Sequence, residues 1–163
     1  MKFQFTDEQR QEMIKWRDEL RTTAKAQGEG QLRSLDNDFC CLGIYVDMYP
    51  DKWTSDEDTW FVKERIPDNE KIGSEFDDLY FDLELPHKMS EVLGLDKTTK
   101  LLDPNGEMSN LQAIFIYMND EAHLTFKEIA NEIDHLLEHG TFSRIFQYNG
   151  ADADQIEAAF AEE

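Results

Sequence analysis

The sequence contains few cysteines and no long apolar segment. Its two cysteines, Cys40 and Cys41, are adjacent, so they cannot build the disulfide framework typical of small secreted proteins. No apolar run approaches the ~20 residues of a membrane-spanning helix. Residues 1–5 lead directly into charged residues and do not resemble a secretory signal. These absences predict a cytoplasmic protein with reduced cysteines.

Basic residues are also scarce, since 16 Lys and Arg stand against 36 Asp and Glu in 163 residues, a formal net charge of −20. The excess acid lies in two blocks, residues 34–84 with a net charge of −11 and residues 119–163 with −9. Residues 1–33 carry +1 and residues 85–118 carry −1. Such a chain repels nucleic acid and anionic membranes and attracts basic protein surfaces.

The size of this charge permits a comparison with DNA. A compact chain of this length is about 40 Å across, and duplex DNA of that length carries about 23 phosphates. A net charge of −20 is therefore enough to imitate a short duplex. Solubility or adaptation to high salt would produce the same composition, although a net charge of ~2–8 already keeps a small domain soluble.

Hydrophobic residues make up 40% of the chain and aromatic residues 12%, which is enough for a folded core. Thr6 with Gln9 and Thr125 with Glu128 are spaced as capping boxes. They predict a helix to about residue 26, and a second helix that ends at Gly140. The basic residues of the first helix are interleaved with acids, so we expect them to pair internally with the acidic blocks.

The shorter elements follow from local patterns. The apolar run 39–46 is compatible with a buried helix or a buried strand, and an N-cap at Asp36 or Asp38 favours the helix. Turn and breaker residues predict the other short elements, namely strands at about 60–64 and 79–84, helices at 86–94, 111–118 and after 150, and a hairpin around the turn 103–106.

Together these elements predict an α+β fold, a mainly helical single domain with a small β-hairpin or sheet. We expect one globular domain over residues 1–140, with an acidic, aromatic-rich insertion at about 51–84. Residues 141–163 are predicted to form a C-terminal extension with a short helix.

Several segments form a combined pattern over residues 16–137. They are Gln27-Gly28-x-Gly30-x-Leu32, Cys40-Cys41-Leu42-Gly43, Met118-Asn119-Asp120 and Leu124-Thr125-Phe126-x-x-Ile129-Ala130. The combination resembles a group of small, functionally uncharacterised accessory proteins encoded by tailed bacteriophages. The resemblance implies a phage accessory protein acting in the host cytoplasm, and no particular reaction. Residues 51–84 are longer and more acidic than this group leads us to expect, and residues 141–163 look like an addition.

The insertion is the best candidate for a binding surface, because aromatic rings anchor protein interfaces and carboxylates steer association. Alternatively, its rings fill a small subsidiary core beneath a solvated acidic face. The predicted partner-binding residues are Asp56, Glu57, Asp58, Trp60, Glu64, Asp68, Glu70, Glu75, Asp77, Asp78, Tyr80, Asp82 and Glu84.

These observations predict an acidic phage-type binding protein that needs no cofactor. Its partner would be a basic host protein surface, such as that of a nucleic-acid-binding protein which it inhibits or modulates. A DNA mimic of the anti-restriction or anti-CRISPR type would act in this way. A role in virion or replication assembly is an alternative.

A second alternative is a small metal-dependent hydrolase. His135-x-x-Glu138-His139 matches the H-x-x-E-H pattern, in which two imidazoles one turn apart bind Zn²⁺ beside a glutamate base. Glu132, His135 and His139 are the candidate residues. Two solvated histidines at the end of a helix explain the pattern more simply. Cys40 and Cys41 lie in an apolar run, which predicts inert, buried thiols.

Overall fold

Five helices and two small antiparallel sheets form the part of the chain that the computed structural model describes, residues 2–65, 78–102 and 108–144. The helices are α1 Asp7–Thr22, α2 Cys41–Asp47, α3 His87–Val92, α4 Leu111–Asp120 and α5 Phe126–His139. The strands are β1 Trp53–Ser55, β2 Trp60–Arg65, β3 Asp78–Phe81, β4 Thr98–Leu102 and β5 Met108–Asn110. The predicted α+β class with a small sheet is confirmed. Within these residues, no helix has the length and apolar character needed to cross a membrane.

Both predicted capping boxes are present. The Thr6 hydroxyl accepts from the Gln9 N–H at 3.1 Å, and the Gln9 side chain accepts from the Thr6 N–H at 3.0 Å. The same exchange joins Thr125 and Glu128 at the start of α5. Gly140 ends α5 with φ of 75°, a backbone conformation that favours glycine.

Helix α1 ends at Thr22, four residues earlier than the sequence predicts. The chain beyond it runs beside Phe39, whose N–H donates to the Ala26 carbonyl at 2.9 Å. The Phe39 carbonyl in turn accepts from the Gly28 N–H at 2.8 Å. Thr23 already has extended backbone, with φ of −64° and ψ of 138°, and residues 26–28 pair with Phe39, so tertiary structure overrides local propensity.

The apolar run forms helix α2, as predicted, but its N-cap is neither Asp36 nor Asp38. The Cys40 sulfur accepts from the Gly43 N–H at 3.4 Å, while the Asp38 backbone closes a turn with Ser34. Six of the seven residues of α2 are buried. A Cβ on Gly43 would lie 1.8 Å from the Leu32 carbonyl oxygen, so glycine lets this helix lie directly against backbone.

The main core lies between α1, α2, α4 and α5. The Trp16 indole N–H donates to the Cys41 carbonyl at 2.9 Å, and its ring meets Phe115 edge to face at 5.0 Å. The α1 and α5 side chains that are completely or almost completely buried repeat at helical spacing: Met13, Trp16, Leu20, Ile129, Ile133 and Leu136. Each of the two long helices therefore packs along one apolar stripe.

Ion pairs also join α1 to α5. The Arg17 guanidinium lies 2.7 Å from the Asp134 carboxylate, and Arg21 pairs with the other oxygen of the same carboxylate. Arg10 donates to the Leu137 carbonyl at 2.9 Å. The prediction that the basic helix pairs internally with acid is confirmed for Arg17 and Arg21.

Strands β1, β2 and β3 form an antiparallel sheet in that order. The sequence predicts β2 and β3 but misses β1. Trp53, Val62 and Phe81 lie opposite one another in register, and Val62 is buried, so their row forms the inner face. The alternate residues of each strand form the outer face. Strands β4 and β5 form the predicted hairpin, whose turn lies outside the described residues, as does the helix predicted after residue 150.

Gly43→Ala provides a test of the contact between α2 and Leu32. Alanine normally favours a helix interior by about 1 kcal/mol over glycine, but here the added Cβ would collide with backbone. We expect unfolding in urea to report a loss of about 3 kcal/mol. Gly30→Ala is the matched control, because its Cβ would meet nothing within 4 Å and only its positive φ costs about 1 kcal/mol. Equal losses for both variants would contradict this account.

The Asp134 pair predicts a pH dependence of stability. Burial raises the pKa of Asp134, but hydrogen bonds and charge from Arg21 and Arg17 outweigh it and lower the pKa overall. A lowered pKa means that the pair stabilises the fold above the ordinary carboxyl range and loses this effect as pH falls through the folded-state pKa.

We therefore expect Asp134→Asn to reduce the free energy of unfolding at pH 7 by about 1 kcal/mol or less, since the pair is partly exposed. The difference from the parent chain should be smaller at pH 3, below the ordinary carboxyl range, than at pH 7. Denaturant unfolding at both pH values measures it, with the exposed Asp36→Asn as control. An equal difference at both pH values would contradict the ion-pair explanation.

Candidate functional site

An open groove of about 580 Å³ lies along the outer face of the three-stranded sheet. The Phe61 and Tyr80 rings meet edge to face at 5.2 Å on this surface, and the Lys63 ammonium lies 5.7 Å from the centre of the Tyr80 ring. Asp56 and Asp82 contribute carboxylates to the lining. The groove thus combines exposed aromatic surface with charges of both signs.

A second groove of about 540 Å³ shares Tyr80 and Asp82 with the first. Gly30, Ile116 and Asp120 belong to its lining as well, so it lies where the insertion meets the helical part of the fold. The Asp120 carboxylate is held in place, because it accepts from the Gly30 N–H at 3.1 Å and from the Asn119 amide at 2.8 Å. We call the two grooves together the Tyr80 groove.

Two exposed apolar side chains, Tyr80 and Leu83, line this groove. Of the seven large apolar residues that are exposed in the described residues, three fall within residues 79–83. Tyr80 is 56% exposed and Leu83 is 59% exposed. Asp82, Glu84 and Asp120 border the same surface. An exposed ring and an exposed leucine among carboxylates are typical of an anchor for a protein partner.

Glu64, one of the predicted partner-binding residues, has a structural contact instead. Its side chain is only 13% exposed, and its carboxylate accepts from the Lys88 N–H at 3.1 Å. Helix α3 begins at His87, and its N-cap residue, Pro86, provides no side-chain cap. Glu64 therefore caps α3 from a neighbouring strand and ties the sheet to the helical part.

Asp56 shapes the turn between β1 and β2. One of its carboxylate oxygens accepts from the Asp58 N–H at 2.9 Å and from the Thr59 N–H at 2.8 Å. Glu57 and Asp58 are exposed in this turn, and Asp78 lies opposite Arg65 in the sheet register. The other predicted acids, Asp68, Glu70, Glu75 and Asp77, lie outside the described residues.

Trp60 belongs to a small subsidiary core on the inner face of the sheet. The Arg33 guanidinium lies 3.7 Å from the centre of the Trp60 ring and 5.4 Å from that of Trp53. It also lies 5.3 Å from the Phe39 ring centre, and the Trp53 indole donates to Asp47 at 2.9 Å. The expected subsidiary core is thus confirmed for the two tryptophans, whereas Tyr80 is exposed and the binding role of the insertion stays a prediction.

Sequence reasoning missed the groove residues that come from outside the insertion. Gly30 and Asp120 are far apart along the chain and meet where the Gly30 N–H donates to the Asp120 carboxylate. Their only sequence signal is that both belong to the segments quoted for the phage resemblance. No sequence pattern marked Ile116 as a groove residue, because an apolar residue in a helix ordinarily indicates core.

The H-x-x-E-H segment does not assemble the predicted set of three ligands. Glu132 is 2% exposed, and its carboxylate accepts from both the backbone N–H and the hydroxyl of Ser143. Arg144 lies 3.6 Å from it. In the described ranges, no group of three or more His, Cys, Asp or Glu side chains is arranged to hold a metal ion.

Both cysteines are buried, as predicted. Burial raises the pKa of the Cys40 thiol to about 12 and that of Cys41 well above its usual value. Thiols with such pKa values carry almost no thiolate at neutral pH, so they are poor nucleophiles. The cysteines serve the packing of α2.

The capping role of Glu64 is testable by comparison with an exposed acid from the same predicted set. We expect Glu64→Gln to lower the free energy of unfolding by about 1 kcal/mol, because a neutral amide interacts more weakly with the start of α3. Asp58→Asn should change it by less than about 0.5 kcal/mol. Thermal and urea unfolding measure both variants. An equal effect of the two changes would contradict the assignment.

Comparison with known proteins gives a family match. No curated protein and no solved structure shows a significant match to the chain. A family model matches residues 9–137, a span that runs from α1 almost to the end of α5 and includes the insertion and the Tyr80 groove. The chain belongs to the family described as domain of unknown function DUF8296.

Proposed function

We propose that this chain is a binding protein that engages a basic protein surface through the Tyr80 groove. The observation that carries the proposal is the exposure of Tyr80 and Leu83 beside the carboxylates of Asp82, Glu84 and Asp120. An aromatic side chain supplies a large contact area at a low cost in conformational entropy. Carboxylates around it select Lys and Arg side chains on the partner.

The net charge supports the same class of partner. A charge of −20 accelerates encounter with a basic protein and slows encounter with nucleic acid. A basic patch or stripe is the electrostatic footprint of a protein that binds nucleic acid. We therefore propose a host nucleic-acid-binding protein as the partner, inhibited or modulated in the cytoplasm, in keeping with the resemblance to phage accessory proteins.

The charge distribution favours an anchored interface over a regular imitation of DNA phosphates. The described residues of the insertion from 53 onward carry seven acids and two bases. Two of these acids, Asp56 and Glu64, accept hydrogen bonds within the fold. Lys63 and Arg65 alternate with inner-face residues on β2 and are exposed. Competition with nucleic acid would then come from covering a basic site rather than from a row of charges.

The chain offers matched variants to test the groove. Leu83 and Leu35 are 59% and 56% exposed, but only Leu83 lines the groove. Immobilised parent chain should capture a basic protein from a host lysate at low salt. We expect Tyr80→Ala and Leu83→Ser to weaken binding of the purified partner about tenfold or more, whereas Leu35→Ser leaves it unchanged.

Measurements with added salt and with DNA test whether the partner surface is basic and whether the chain blocks its nucleic-acid site. The affinity measured by calorimetry should fall steeply between low and high salt, and DNA should compete with the chain for the partner. A partner that binds all three variants equally would overturn the groove assignment. A ternary complex with DNA would overturn the blocking of a nucleic-acid site.

A further inference from the structure

Two imidazoles lie side by side at the end of α5. His135 and His139 are four residues apart, which places them on successive turns of one helix face. Their ring centres are 4.4 Å apart. The His139 side chain is 53% exposed, and His135 is half-buried. The pair is therefore open to solvent and close enough to share a ligand.

Among the described residues, the hydrogen bonding of His135 uses one ring nitrogen and leaves the other available. Its Nδ1 lies 2.7 Å from the Thr141 carbonyl oxygen. A carbonyl only accepts, so Nδ1 carries the proton and Nε2 of the neutral ring keeps its lone pair. A backbone carbonyl that fixes the tautomer in this way is the usual outer partner of a metal-binding histidine.

The surroundings favour a cation. The last turn of α5 carries the negative end of the helix dipole. The Glu138 carboxylate lies 3.8 Å from Nε2 of His139. Arg144, the arginine that follows α5, lies 3.8 Å from Glu128 and 3.6 Å from Glu132 and is engaged there.

We propose that His135 and His139 form a two-imidazole chelate for a transition-metal ion of the Zn²⁺, Ni²⁺ or Cu²⁺ class. These ions prefer imidazole nitrogen. Metal–nitrogen bonds of ~2.0–2.1 Å place two nitrogens of a tetrahedral ion about 3.3 Å apart, a spacing that a rotation of the exposed His139 ring can supply. Water completes the coordination.

This site lacks the third protein ligand of the hydrolase alternative. Glu132, the candidate for that ligand, is buried and engaged by Ser143 and Arg144. The ion would join two turns of α5. Through the His135–Thr141 bond it would also steady the chain that follows Gly140. The chelate does not depend on the Tyr80 groove or on the proposed partner.

Calorimetry on the full chain, purified without a histidine tag, tests the chelate with Ni²⁺ and Zn²⁺. We expect one ion per chain and a weakening of about tenfold or more in both His135→Gln and His139→Gln, because one imidazole loses the advantage of chelation. His123→Gln is the matched control, since His123 is exposed and pairs with Glu29 at 2.7 Å. It should bind as the parent chain does.

A second measurement distinguishes the loss of the chelate from misfolding of a variant. Excess Zn²⁺ should raise the Tm of the parent chain and of His123→Gln but not of either α5 variant, and circular dichroism without metal should be the same for all four. His139 is exposed, so its replacement leaves the fold intact. Unchanged affinity in His139→Gln, or no binding by the parent chain, would overturn the proposal.

Discussion

The fold depends on one buried carboxamide, that of Asn119, which is 1% exposed. Its oxygen accepts from the Cys41 N–H at 3.1 Å and from the Gln27 amide at 2.9 Å. Its nitrogen donates to the Gly28 carbonyl and to Asp120, each at 2.8 Å. Asn119 therefore joins the end of α4 to the start of α2 and to the loop after α1. An aspartate could not replace it, because a carboxylate only accepts.

The contacts of Asn119 show what the segments quoted for the resemblance do in the structure. Gln27-Gly28, Cys40-Cys41 and Asn119-Asp120 lie far apart along the chain but meet around one side chain. The same bonds place Asp120 against Gly30 at the floor of the Tyr80 groove. The insertion is attached to this framework by Arg33 stacking on its tryptophans and by Glu64 capping α3. The residues around Asn119 are thus connected to the Tyr80 groove through direct contacts.

Elements governed by neighbouring residues were predictable. The capping boxes of α1 and α5, the apolar stripes of those helices and the pairing of β4 with β5 all depend on spacings of a few residues. The errors arose where distant groups meet. Pairing with Phe39 ends α1 early. In the sequence Glu64 resembles any surface acid, and only the fold brings α3 beside it. For the site, composition identified the insertion and Tyr80, but no local pattern brings Asp120 to them.

The net charge counts acids that bond within the fold together with acids that are exposed to a partner, and the structure distinguishes these two groups. Several acids have bonds within the fold, as Glu132 has with Ser143 and Asp134 with two arginines. Such carboxylates still contribute to the field around the molecule, but their geometry is fixed by the fold and not by a partner. Steering depends on the whole charge, whereas selection depends on the few side chains at an exposed anchor. For this chain the distinguishing feature is consequently the aromatic and aliphatic surface of Tyr80 and Leu83, placed where acid surrounds it.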